Sequence, residues 1–157
     1  MDLTITHDTF VIERSYPVTP ERLFAAFADP AKKRRWFAEG EHHDLEEFEM
    51  DFRVGGVQRI SSRMKANTPF PGVALVNDTR YQDIVPNRRI VSASAMSLGE
   101  KRISASLVTF EFVPTDAGTD LILTHQAAFF EGSDGPQMRQ DGWRTLLGRL
   151  ADYLANA

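Results

Sequence analysis

One apolar stripe near the C-terminus sets the problem that this chain has to solve. Between residues 138 and 154, Met138, Trp143, Leu146, Leu147, Leu150 and Leu154 recur at helical spacing. Arg139, Asp141, Arg144, Arg149 and Asp152 fill much of the remaining surface. This spacing predicts an amphipathic helix with one face to be covered. A Trp and four Leu on one face form a large area, and at about 25 cal/mol per Å² its burial contributes several kcal/mol. Nearly everything upstream reads as strands, so the expected solution is a sheet curled around this helix.

The upstream pattern is regular. Residues 10–16 alternate and are rich in strand formers. Thr19-Pro20 then gives an N-cap followed by a proline at the first helical position, and Leu23, Phe24 and Phe27 form the apolar side of a short helix. Asp29-Pro30 repeats the cap at once, predicting a second helix over 30–37. Its Lys32, Lys33, Arg34 and Arg35 read as a solvated basic face, and Trp36 and Phe37 as anchors. Residues 41–47 are acidic and loop-like.

In 48–54, Phe48, Met50, Phe52 and Val54 alternate with charged residues, as in a half-buried antiparallel strand. Gly55-Gly56 ends it, and 57–64 returns as a more polar strand. A loop at 67–72, with Phe70 near its tip, leads to further strands over 73–85 and 90–96. Strands over 108–112 and 121–130 form a hairpin through the turn at 114–119. A run of strands with the helices segregated from it indicates an α+β chain with an antiparallel sheet, in one domain.

Composition narrows the function classes. A net charge of −4 argues against nucleic acid or an anionic membrane as main partner. The absence of cysteine excludes disulfides, thiolate catalysis and zinc–thiolate sites. No apolar run is long enough to span a bilayer, and the first residues lack the basic and apolar regions of a secretion signal, so the expectation is cytoplasmic. His42 and His43 lie among acidic residues, but adjacent residues of a strand point to opposite faces, a poor geometry for one metal. No cofactor motif is present.

Several stretches in order carry a resemblance. Pro17 to Phe24, then Ala28-Asp29-Pro30 and Trp36-Phe37, resemble the opening of the START-like (SRPBCC) superfamily, and more narrowly homologues of the heat-shock protein 90 ATPase activator. The likeness continues through Arg53-Val54-Gly55-Gly56, the stretch 83–90, the stretch 118–125, and Gly142-Trp143 onward to Leu150. It implies a helix-grip fold. Two short helices would follow the first strand, and a curved antiparallel sheet of about six or seven strands would wrap the long C-terminal helix, often leaving a cavity.

The resemblance leaves function open. The leading expectation is a non-enzymatic binder of a small apolar or aromatic molecule. Inward parity selects Phe48, Met50, Phe52, Val108, Phe110, Phe112, Leu123, His125, Trp143 and Leu147 as candidate ligand-binding residues. His125 would be the polar anchor. A cyclase- or dehydratase-type enzyme is the alternative, with His125 as acid–base group and Arg14 or Tyr16 orienting substrate. A co-chaperone-like interaction module is a further alternative, resting on the basic cluster and Phe70. Homodimerisation is expected through an edge strand and the helices bearing Trp36 and Phe37.

Overall fold

Prolines punctuate the entry into the fold, which is given by a computed structural model describing residues 4–157. The first strand, β1 (Thr6–Tyr16), buries Phe10, Ile12 and Tyr16 on one parity. Pro17 follows, and helix α1 (Pro20–Ala28) starts where Thr19 Oγ1 accepts a hydrogen bond from the Arg22 amide at 3.2 Å. Asp29 repeats this at once: its carboxylate accepts from the Ala31 amide at 2.9 Å and opens α2 (Pro30–Lys33). The next turn does not continue as α-helix. Over Arg34–Ala38 it widens to a π-helical turn, closed by the Glu39 amide donating to the Arg34 carbonyl at 2.9 Å. Such insertions re-aim side chains, and here Trp36 and Ala38 become buried.

Six strands complete the sheet: β2 (His43–Met50), β3 (Val57–Met64), β4 (Ala74–Val85), β5 (Arg89–Leu98), β6 (Lys101–Thr115) and β7 (Gly118–Phe129). The order is β1-β7-β6-β5-β4-β3-β2, antiparallel throughout. Every neighbour is a sequence neighbour except β1, which pairs with the last strand. The chain therefore crosses from one edge of the sheet to the other between β1 and β2, through α1, α2 and the π turn. Register shifts at Leu45/Glu47, Tyr81/Asp83 and Met96/Ser97 bend the strands. The final helix, α3 (Gly135–Asn156), lies in the resulting curve with Leu147, Leu150 and Leu154 buried. The helix-grip architecture is thus the fold of this chain.

Several boundaries and faces differ from expectation. The acidic stretch 41–47 is mostly strand, because β2 is an edge that tolerates charge along its length. The strand expected over 48–54 ends at Met50: Phe52 packs beyond it, and Val54 is exposed. In α3, Met138 is exposed while Arg139 is buried, the reverse of the stripe reading. The basic cluster is not uniformly solvated either, since Lys33 is 6% exposed. Its two aromatics anchor as expected, Trp36 buried and Phe37 half-buried against Trp143. Among the described residues no helix is long and apolar enough to cross a membrane.

Candidate functional site

The inward face of the sheet changes character across its width. On β1, β7 and β6 it is mostly apolar: Phe10, Ile12, Leu121, Leu123, Phe110 and Phe112 are all buried. On β5, β4 and β3 the same face carries Ser92, Thr79 and Gln58, buried too. The register sets these in rows. Ser106 pairs with Ser94, Ser94 with Thr79, and Thr79 with Gln58. In the adjacent row His125 pairs with Val108, Val108 with Ser92, and Ser92 with Tyr81.

Helix α3 closes over the apolar half and leaves a gap over the transition. The gap is a chamber of about 250 Å³. Phe37, Val108, Trp143 and Leu146 supply apolar wall, while Asn77, Ser94, Ser106 and His125 supply polar groups on the sheet side. Met138 and Gly142, both exposed, stand at its rim. A smaller recess of about 30 Å³ adjoins it. It shares Phe37, Asn77, Ser94, Val108 and Trp143 with the chamber and adds Lys33, Gln58, Thr79 and Ser92.

His125 is fixed as part of the wall. Its ring stacks on Phe10 at 4.6 Å with planes 8° apart, and Trp143 lies edge-on at 6.4 Å. Its Nδ1 has no hydrogen-bond partner among the described residues. Burial, reinforced by the Arg139 guanidinium, pushes its pKa down to about 4, so the imidazole is neutral at neutral pH. General acid–base work favours a pKa near the operating pH, and His125 is far from it. The partners proposed for it are committed elsewhere: the Tyr16 hydroxyl donates to the Leu147 carbonyl at 2.8 Å, and Arg14 lies over the Tyr16 ring.

Near the rim, Arg139 is held by Asp134 through two 2.8 Å hydrogen bonds, donates to Ser104 Oγ at 3.0 Å, and covers the Phe129 ring. Burial works to raise the Asp134 pKa, but Arg139 outweighs it and keeps the carboxyl below the usual range. This pair locks the start of α3 to β6.

Lys33 has no such partner among the described residues. Its Nζ sits 4.8 Å from the Phe37 ring centroid and 5.8 Å from that of Tyr81. Burial alone lowers its pKa to about 7. The polar groups around it are largely occupied with one another. The Tyr81 hydroxyl donates to Gln58 Oε1 at 2.6 Å, and the Thr79 and Ser94 hydroxyls are 2.8 Å apart.

Of the residues singled out by parity, Val108, His125 and Trp143 bound the chamber, and Phe110 joins Val108 and Trp143 around the recess. Phe112, Leu123 and Leu147 are buried in the core. Phe48 and Met50 lie half-buried on β2, and Phe52 packs edge-on against Phe24 and Tyr81. Sequence reading missed Lys33 and the polar stripe. The stripe had a signal: Gln58 shares parity with Ile60, Asn77 and Thr79 with Tyr81, and Ser92 and Ser94 with Ile90. The other expected features lie at the surface. Lys32, Arg34 and Arg35 are exposed and Phe70 is half-buried. His42 is exposed beside Asn67, and the His43 ring bonds the Ala38 carbonyl.

Comparison with known proteins agrees with this architecture. An uncharacterized protein from Rhizobium leguminosarum is 35% identical, with all of both chains covered and a TM-score of 0.92. The Mll3558 protein from Rhizobium loti is 44% identical over 96% of this chain and 99% of its own, with a TM-score of 0.83. DynU16, a protein of the dynemicin biosynthetic locus, shares the fold at 20% identity and a TM-score of 0.64, over 94% of this chain and 47% of its own. No curated protein matches the sequence. The family described as activator of Hsp90 ATPase homolog 1-like protein matches residues 17–155. With nearly the whole chain matched and the helix-grip fold in place, the protein belongs to that family.

Proposed function

We propose that the protein binds a small ligand with an apolar, ring-sized body in the chamber between the sheet and α3. The observation that carries this reading is the gap itself. A domain of this kind packs its interior at near-crystalline density, whereas a cleft of about 250 Å³, open at the Met138 rim, separates Trp143 and Val108 from close packing. Liquid water occupies about 30 Å³ per molecule, so the space is worth roughly eight waters. Typical ligand pockets run from about 300 to 1,000 Å³, which sets the ligand near the small end. The wall chemistry fits: apolar side chains on α3 and the π turn face a few hydroxyl and amide groups on the sheet.

Filling the chamber is the direct test. Ser106→Phe places a ring into the gap from the sheet side, and an aromatic probe such as 1-naphthol is followed by quenching of tryptophan fluorescence. The wild type binds saturably, and the variant keeps its melting temperature but loses binding by about tenfold or more, the weight of a ring's worth of apolar contact. Equal binding by both proteins would place the probe elsewhere and defeat the reading.

A further inference from the structure

Resting on the chamber as a ligand site, we propose that the recess behind it receives a carboxylate, with Lys33 as its counter-ion, so that the ligand is an aromatic or alicyclic acid. A buried lysine normally has a carboxylate beside it, because an isolated ammonium in an apolar interior is costly. Lys33 is buried and takes part in no ion pair among the described residues; its amine lies against the faces of Phe37 and Tyr81. Those faces favour a cation but do not neutralise it. None of the other residues lining the recess, among them Gln58, Thr79, Ser92 and Trp143, is charged, and the Tyr81 ring lies 5.8 Å from the amine. Only Tyr81 among them titrates, and burial raises its pKa further, so the phenol stays neutral. The chain thus supplies a cation and hydrogen-bonding neighbours without the anion.

The geometry says where an anion would come from. Chamber and recess share the walls made by Phe37, Val108 and Trp143. A ring in the chamber therefore lies against side chains that also wall the recess, and the bound acid would set its carboxylate on the Lys33 side of them. The recess, at about 30 Å³, admits a group of one or two oxygens and no second ring. With the amine titrating near neutrality, an arriving carboxylate captures a proton on Lys33 as it binds. Ligand binding is thus coupled to proton uptake.

The test compares trans-cinnamate with uncharged cinnamamide by titration calorimetry near neutral pH, in buffers of different ionisation enthalpy. The acid binds about tenfold or more tighter than the amide, as a charge-assisted pair requires, and takes up a fraction of a proton. In Lys33→Met and Lys33→Gln the preference and the proton uptake both disappear, while cinnamamide binding stays within a few-fold. Amide binding equal to acid binding in the wild type, or acid binding without proton uptake, overturns the assignment and leaves the chamber reading standing. A preference that survives in both variants also overturns it. Failure of both probes to bind the wild type removes the chamber reading and this inference together.

Discussion

The two tryptophans occupy opposite kinds of environment, and that contrast is measurable. Trp36 is 1% exposed, its indole N–H donates to the Ala26 carbonyl at 2.8 Å, and Phe27 meets it edge-on at 5.0 Å. Trp143 is only half-buried, with the chamber on one side. Trp36→Ala should cost about 3–5 kcal/mol, the range for a fully packed aromatic. Trp143→Ala should cost clearly less, about 1–2 kcal/mol, because its ring already lacks neighbours on one side. Chemical denaturation of the two variants checks this order, and equal losses would mean the chamber is filled. His125 gives a second residue-scale test. Its folded pKa of about 4 lies below the ordinary 6.5, so the folded state binds fewer protons between these values. Stability present in full above pH 6.5 is lost as pH falls toward 4, by about 3 kcal/mol. His125→Phe keeps a ring against Phe10 and should flatten that part of the stability profile. A variant with the wild-type slope would contradict the buried neutral imidazole.

At the scale of elements, the closures matter more than the strands. The β6–β7 hairpin turns through Asp116-Ala117 and returns at Gly118, whose φ is +148°. A Cβ there would run into the Tyr16 carbonyl oxygen and crowd the backbone of Pro17 and Val18. The glycine therefore lets the hairpin end press against the exit of β1, where Thr119 Oγ1 donates to the Val18 carbonyl at 2.8 Å. Gly118→Ala should destabilise by about 2 kcal/mol or more, combining a disfavoured φ with a backbone clash. A melting temperature within a degree of wild type would refute that packing account.

Much of the element order was readable in advance because caps and turns are local chemistry: Thr19-Pro20, Asp29-Pro30, Gly55-Gly56 and the 114–119 turn all act where they stand. What was hidden depends on partners far along the chain. Residues 43–47 look like loop until β3 pairs with them, and Lys33 looks like one of four surface cations until α2 packs with that one side chain turned inward. Arg139 likewise needed Asp134 and Ser104 in place before its burial made sense.

For the whole molecule, the C-terminal stripe and the strand alternation called for a sheet packed on a helix, the family resemblance implied that the sheet wraps it, and the structure has that form. Apolar periodicity says which residues face inward, but not how well they fill the space between. The chamber arises because α3 packs closely on the β1 side through Leu147, Leu150 and Leu154 and stands off from the polar half of the sheet. That is a difference of packing distances, which no local pattern encodes. The central claim is that this space takes up a small ring-bearing ligand beside Trp143. The chain holds two tryptophans, so the indole N–H region of a proton–nitrogen NMR spectrum reports on Trp143 and Trp36 separately. On titration with 1-naphthol, the Trp143 signal should shift saturably and much further than that of Trp36, whose N–H is held by Ala26. Two unmoved signals, or a linear drift of both without saturation, would contradict the account.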